Sequence, residues 1–510
     1  MGEPGMTHDY DVLVIGSGFG GSVTALRLTE KGYRVGVLEA GRRFGDADLP
    51  KTSWDARKFL WAPRLGCKGI QRIHLLRNVI VLAGAGVGGG SLVYANTLYE
   101  PQSAFYADPQ WAHITDWHAE LAPYYDQAQR MLGVARNPTM TPSDEVLRDV
   151  AEEMGVGHTF SLTPVGVFFG RDDRKEPGRE ASDPYFGGAG PSRRGCIECG
   201  ECMTGCRHNA KNSLVKNYLY LAERAGAVVH PETTVVAVRP SGSGYTVDTV
   251  ATGAWRARRT ARSFTAGQVV FAAGTWGTQQ LLHRMRAGGV LPGISARLGV
   301  LTRTNSEALG GALTGLRSRK EQDFTRGVAI TSSIHPDAST SIEPVRYGKG
   351  SNAMGLLSTL MTDGGGKLPR GVKWLAAVAR HPGRVASLYA GMNHWSERAV
   401  IGLTMQARIS VQAVIRIDDP VLCRAADGAA ADEVRRHRDV RHLPETAQRK
   451  AADAGRDAAH RLVGGRNPGR VRYAVPLLRG QLDAAQPGAP GVNRDRVVQG
   501  LHGQPDHRPF

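Results

Sequence analysis

The stretch from Tyr10 to Gly21 constrains the fold of this chain more than any other. Tyr10-Asp11-Val12-Leu13-Val14-Ile15 is a β-branched and aliphatic run, Gly16-Ser17-Gly18-Phe19-Gly20-Gly21 follows it, and a helical pattern opens with Val23, Leu26 and Leu28. Strand, glycine turn and helix in that order predict the βαβ unit of a Rossmann-like, dinucleotide-binding α/β fold. Gly16 permits the tight turn, Gly18 lets the backbone approach a pyrophosphate, and Gly21 lets the helix pack on the strand. The unpaired N–H groups and positive dipole end of the helix then face the phosphates. Lys31-Gly32 stops the helix, and Tyr33 to Leu38 read as the second strand. Glu39 closes that strand twenty-one residues beyond Gly18, where a carboxylate accepts hydrogen bonds from both ribose hydroxyls and disfavours the 2′-phosphate of NADP.

FAD and NAD share this unit, and two later segments favour the flavin. In Val79 to Asn96 a strand enters a loop in which Gly86, Gly88, Gly89 and Gly90 fall within five positions, followed by Ser91. With its side chains removed, such a loop can lie flat against a planar ring system and offer it backbone N–H groups; the competing reading is a flexible turn. Gly267 to Leu282 is a buried strand running into a helix through Ala272-Ala273-Gly274, which returns the chain to the nucleotide. Alternating runs at Ala227 to His230, Thr234 to Val238 and Tyr245 to Val247 predict a β-meander inserted before that last strand. Residues 301–405 contain alternating stretches such as Val328 to Ile334 and predict a mostly antiparallel sheet for a substrate domain.

Size and charge limit the remaining possibilities. A chain of 510 residues implies more than one domain: here 8–300 as the FAD-binding domain with a cysteine-rich insertion at 190–215, 301–405 as the substrate domain, and 406–510 as a divergent tail. No apolar run reaches the ~18 residues of a membrane span, and the N-terminus reads without an export signal, so the expected location is cytoplasmic. The net charge of +17 is spread along the chain without a recognised nucleic-acid motif. Nucleic acid is therefore not an expected partner, whereas peripheral contact with an anionic membrane remains open.

Four of the six cysteines, Cys196, Cys199, Cys202 and Cys206, have the spacing C-x2-C-x2-C-x3-C of bacterial ferredoxins, with Arg207 where a proline usually follows. An iron–sulfur cluster, a zinc ion, and reduced structural thiols or a disulfide are the three readings of that run.

Taken together, Gly16 to Gly21, Glu39-Ala40-Gly41, the Ala85 to Ser91 loop and Ala273-Gly274-Thr275 resemble the glucose-methanol-choline (GMC) family of flavin oxidoreductases. Stretches such as Thr52 to Asp55, Lys58 to Pro63, Lys211 to Tyr218 and Glu343 to Gly348 are similar to its mycobacterial-type cholesterol oxidase branch, over residues 8–406. The resemblance implies a 3β-hydroxysteroid substrate oxidised at C3, hydride transfer to flavin, and dioxygen or another acceptor. It implies Phe19 and Gly20 at the pyrophosphate, Glu39 at the ribose, Gly90 and Asn96 around the isoalloxazine, and Val235 at the adenine. Tyr94 departs from the pattern, standing where many relatives carry asparagine. Glu343 is implied as the carboxylate that moves a proton between C4 and C6 when the Δ5 double bond shifts; a solvated or salt-bridged glutamate is the alternative. Two competing functions are a GMC-type alcohol or sugar dehydrogenase and a non-catalytic flavin-binding remnant.

After Met405-Gln406 the resemblance stops. The family's histidine-bearing active-site strand, aspartate-glycine flavin contact and asparagine-proline pair have no counterpart there. The tail is rich in arginine and alanine and poor in aromatics, so it is expected to be disordered. Its arginine bias matches an out-of-frame reading of GC-rich coding sequence, and the expected consequence is impaired catalysis.

Overall fold

A computed structural model describes residues 8–76, 79–172, 174–254, 261–300, 302, 305, 307–315, 323–362, 368–406 and 473–474. The expectation of a disordered tail falls on 407–510 and, apart from Tyr473–Ala474, lies outside the described residues. Two six-stranded sheets organise the rest. In chain order their strands are β1 (Tyr10–Ile15), β2 (Val35–Leu38), β3 (Ser161–Leu162), β4 (Val228–His230), β5 (Thr233–Ser241) and β6 (Gly244–Ala251). They continue with β7 (Ala261–Phe271), β8 (Ala308–Leu313), β9 (Ser332–Asp337), β10 (Thr340–Val345), β11 (Ala399–Gln406) and β12 (Tyr473–Ala474).

The first sheet has the order β4-β2-β1-β7-β6-β5. Its β4, β2, β1 and β7 run parallel, with Ile15 in register with Leu38 on one side and Phe271 on the other. The predicted meander is the antiparallel half, β5-β6-β7, and it joins the parallel half through the single long strand β7. Strand β1 is a near-continuous apolar run because both of its faces are covered. Val12 and Val14 pack with Leu26 of helix α1 (Phe19–Glu30) and Leu219 of the helix Tyr218–Arg224. Leu13 and Ile15 point the other way, toward Leu281 and Met285 of the helix Gly274–Ala287.

The second sheet, β12-β8-β11-β10-β9-β3, is antiparallel throughout. It draws its edge strand β3 from the first half of the chain. The helix Pro142–Glu153 also comes from there, and its Leu147, Val150 and Ala151 pack on Ile334 and Ile342. A single apolar cluster joins Leu92 and Val93 of the glycine loop to Val345, Ile401 and Leu403 of this sheet. The glycine loop is thus wedged between the two sheets, with the second sheet as its floor.

Candidate active site and cysteine pocket

The glycines of the two turns fall into two physical kinds. Gly16 has φ +100°, and a Cβ there would stand 2.5 Å from the Ala272 carbonyl oxygen. A Cβ on Gly21 would meet the Gly16 carbonyl oxygen at 1.9 Å, and one on Gly41 would meet the Gly86 nitrogen at 2.1 Å. These residues hold backbone against backbone. Gly18, Gly20 and Gly274 are different, with nothing within 4 Å of an added Cβ, and Gly90 has only the Phe19 ring at 3.8 Å. Open space therefore borders the start of helix α1, the start of the helix Gly274–Ala287 and the glycine loop. A dinucleotide fits these residues, because backbone N–H groups at a helix start can reach phosphate only where no side chain intervenes.

Three polar side chains tie the turn together. Glu39, at the end of β2, is buried, and its carboxylate accepts from the backbone N–H of Ser17 (3.0 Å), the Ser17 hydroxyl (2.7 Å) and the Gly41 N–H (2.7 Å). The carboxylate expected to face a ribose thus also braces the turn from behind. Ser17 Oγ accepts in turn from the N–H of Gly88 at 3.1 Å, joining the first glycine turn to the second. Ser91 Oγ donates to the Gly88 carbonyl (2.7 Å) and accepts from Leu214 N–H (3.0 Å), which shapes the loop from inside. Gly86 and Gly89 lie in the same loop, with φ +126° and +52°. Ser17 escaped the sequence reading because it occupies a variable position of the glycine motif, and no periodicity marks it.

Downstream of the loop, Tyr94 donates its hydroxyl to the Asn212 carbonyl at 3.0 Å and meets the Phe19 ring edge-on, with centroids 5.7 Å apart. It acts as a packed spacer where the family pattern has asparagine. Asn96 is fully buried with φ +70°, and its amide approaches the Cys202 thiol but makes no well-formed hydrogen bond. A buried amide so weakly paired is costly unless something polar meets it. Val235 is half-buried at the β-bulge of β5, close to the chain that leaves β2, where Thr233 N–H donates to the Glu39 carbonyl.

Glu343 lies on β10 opposite Leu403 and is 1% exposed. Neither carboxyl oxygen has a well-formed hydrogen bond. Burial raises its pKa to about 8; the Tyr99 hydroxyl nearby partly offsets that rise, and the charge of Glu307 adds to it. A buried carboxyl raised in this way exchanges its proton within the physiological range. The solvated or salt-bridged alternative does not describe this residue. Tyr99, whose own pKa is raised mainly by burial, has no motif to announce it in the sequence. His335 and His394 are engaged elsewhere, with Gln102 and Glu397 respectively.

The four cysteines are free and converge on one pocket, with Cys196, Cys202 and Cys206 buried and Cys199 half-buried. The disulfide reading is absent from the described residues. The loop wraps by left-handed backbone at Glu198, Gly200, Gly205 and Cys206, a conformation uncommon for the two non-glycine residues. Glu198 N–H donates to Cys196 Sγ at 3.3 Å, and the N–H groups of Glu201 and Ala329 approach Cys199 and Cys202. Burial pushes the Cys199 thiol up to about 12 and raises Cys196 and Cys202 as well. Among the described residues the one set of three possible metal-binding atoms gathered within 4.8 Å of one another is Cys199, Glu201 and His208. Glu201 is already paired with Arg207 at 3.1 Å and His208 at 3.4 Å.

Comparison with known proteins agrees with this architecture. The family model for FAD dependent oxidoreductases (DAO) matches residues 11–335. A cholesterol oxidase of Mycobacterium tuberculosis is 66% identical over 407 residues, covering 79% of this chain and 70% of that protein. One of Acinetobacter baumannii is 46% identical over 384 residues, covering 74% and 68%. Among solved structures, pyridoxine 4-oxidase from Mesorbium loti superposes with a TM-score of 0.50 at 13% identity, covering 93% of this chain and 84% of that one, a likeness of fold. No helix among the described residues is long and apolar enough to cross a membrane. With a glycine-lined nucleotide cleft, a second antiparallel sheet and these relatives, the chain belongs to the FAD-dependent oxidoreductases of the glucose-methanol-choline type and is cholesterol-oxidase-like over most of its length.

Proposed function

We propose that this chain oxidises the C3 hydroxyl of a 3β-hydroxysteroid such as cholesterol and shifts the Δ5 double bond to Δ4. The observation that carries the reading is the buried carboxyl of Glu343, with no salt-bridge partner among the described residues, which suits a group that takes a proton at C4 and returns it at C6. Similarity to the mycobacterial and Acinetobacter cholesterol oxidases supports the substrate class. Bound flavin would accept hydride from C3 and pass electrons to dioxygen or another acceptor. Gly16, Gly18, Phe19, Gly20, Gly21 and Glu39 hold its ADP half together with Val235 and Gly274. Gly86, Gly88, Gly89, Gly90, Ser91 and Asn96 set the isoalloxazine end. Residues 8–300 form the FAD-binding domain and 301–405 the substrate domain, in a cytoplasmic enzyme that touches the membrane peripherally to reach its sterol.

Cys196, Cys199, Cys202 and Cys206 hold an iron–sulfur cluster in this reading. A single zinc with four thiolates at ~2.3 Å in tetrahedral geometry brings sulfurs to about 3.8 Å of one another. No three of these sulfurs are gathered within 4.8 Å. In a four-iron cluster each cysteine binds a different iron, so the four sulfurs need not meet at one point.

The test is the absorption spectrum of the purified chain before and after anaerobic addition of cholesterol, with steroid products resolved by chromatography. Slow bleaching of the flavin bands, with Δ4 ketone as product, is expected, because the family's histidine segment has no counterpart after Gln406. Flavin bands that persist unbleached with cholesterol and other alcohols would leave a flavin-binding remnant, and would point to the family histidine segment without a counterpart after Gln406.

A further inference from the structure

Residues 368–390 carry an apolar stripe on the solvent side of a helix. Val372, Leu375, Ala376 and Ala379 of the helix Arg370–Arg380 fall at the i, i+3, i+4, i+7 spacing that normally turns a stripe toward a core, yet all four are exposed, and no residue of that helix is buried. Leu368, one turn ahead, is 60% exposed, Leu375 61% and Val372 48%. The helix is nevertheless anchored. Its Trp374 Nε1 donates to the Thr359 hydroxyl at 2.7 Å, and in the following helix, Pro382–Ala390, the Tyr389 hydroxyl donates to the Ser358 carbonyl at 3.3 Å while Leu388 is buried. Leu388 belongs to the apolar cluster that also holds Leu403, the register partner of Glu343. The exposed stripe is thus the outer side of a helical segment whose inner side packs toward the sheet that carries Glu343.

The charges around the stripe are of one sign. From Gly364 to Ser396 the sequence carries Lys367, Arg370, Lys373, Arg380 and Arg384 and no aspartate or glutamate. The next acidic residue, Glu397, is buried and meets His394 and the Ser396 hydroxyl, each at 3.2 Å. Apolar side chains flanked by arginine and lysine on one surface helix suit an interface in which leucines enter the acyl boundary and the cations stay among anionic headgroups. Burial against another protein face would need only the leucines; the one-sided charge selects an anionic surface.

We infer that residues 368–390 are the face on which this protein docks on an anionic phospholipid membrane. This face gives a location to the peripheral membrane contact of the steroid-oxidising reading, on which it rests. With the stripe in the headgroup region, the helices lie between the bilayer and the apolar cluster around Leu403, so a sterol leaving the bilayer meets the half of the molecule that carries Glu343.

The experiment measures flotation of the full-length chain with sterol-free vesicles, either of phosphatidylcholine mixed with phosphatidylserine or of phosphatidylcholine alone. Binding to the mixed vesicles that falls steeply with added salt is expected, with little binding to phosphatidylcholine alone. Arg380→Gln with Arg384→Gln should weaken binding about fivefold per charge removed, and Leu368→Ser with Leu375→Ser about tenfold or more. Leu65→Ser, at a residue 83% exposed but outside the stripe, should leave binding unchanged. Absence of binding to the mixed vesicles overturns the inference, and so does binding that neither pair of substitutions alters or that Leu65→Ser weakens equally. A dimer in solution that the leucine pair makes monomeric, without vesicle binding, assigns the face to a second copy of the chain and overturns it too. The charge pair decides alone if the leucine pair fails to fold. The vesicles hold no sterol, so binding without flavin bleaching by cholesterol fails the steroid reading, whereas bleaching without vesicle binding fails the docking face, and the two failures are told apart.

Discussion

Strand β1 of the first sheet buries Leu13 and Val14 on opposite faces and delivers the chain to Gly16, where backbone meets backbone. Strand β10 of the second sheet buries Ile342 and, beside it, Glu343, a carboxyl with the Tyr99 hydroxyl nearby and no well-formed hydrogen bond. Both strands lead to a functional region, but the first works through main-chain shape and the second through one side chain. Main-chain shape demands glycine at fixed positions, which a sequence displays openly. A lone buried carboxylate is chemically special only because of what surrounds it, and its surroundings come from β11, Tyr99 and Glu307.

The sharpest test of this contrast is Glu343→Gln. It should leave C3 oxidation in place and slow isomerisation by about 10²–10⁴-fold, the usual worth of a positioned proton-transfer group, so that the Δ5 ketone accumulates. Full isomerisation by the variant would remove Glu343 from the chemistry. The same carboxyl sets a pH dependence. Its pKa is raised from an ordinary 4.5 to about 8, so the folded state binds its proton more tightly than the unfolded state. The stability it contributes is present below about pH 4.5 and lost as the pH rises to about 8. Wild type should therefore lose Tm relative to Glu343→Gln across that window, and parallel Tm curves would contradict the burial argument.

On the backbone side, Gly21→Ala forces a Cβ to within 1.9 Å of the Gly16 carbonyl and should cost about 3 kcal/mol through overpacking, seen as a lowered Tm without cofactor. Gly18→Ala meets open space, so the same measurement should show little change, while FAD affinity falls. Equal losses of Tm in the two variants would erase the division between packing glycines and cleft glycines.

A second pair of residues probes side-chain anchors outside the glycine turns. Asp144 is fully buried and accepts from the Thr141 N–H and hydroxyl and from the hydroxyls of Thr331 and Ser332, capping the helix Pro142–Glu153 while anchoring it to β9. Asp144→Ala orphans all of these donors and should cost about 2–3 kcal/mol in denaturant unfolding. Tyr94→Phe, which removes one hydroxyl from the Asn212 carbonyl, should cost only about 1 kcal/mol.

Much of the first sheet was legible. The βαβ start, the meander before β7 and the different tasks of Gly16, Gly18 and Gly21 follow from residues within a few positions of one another. The antiparallel second sheet was legible as alternation, but its recruitment of β3 and the helix Pro142–Glu153 was not, because those pieces lie far upstream in the chain. Glu343 was reached through family resemblance, and burial supplied the physical reason. Ser17 and Tyr99 carried no local mark, whereas Thr141-x-x-Asp144 with Pro142 has the local pattern of a helix start but gives no sign of the bonds to Thr331 and Ser332. The cysteine spacing announced a shared site, yet the burial of Cys196, Cys202 and Cys206 became visible only after folding.

Local covalent chemistry thus determined the nucleotide turn, since φ and the lack of a side chain are properties of single residues. The burial of the Lys211 amine and of the Glu343 carboxyl was decided by tertiary structure alone. Lys211 meets a carbonyl 119 residues away, and a charge becomes costly or useful only when distant segments close over it and remove the water.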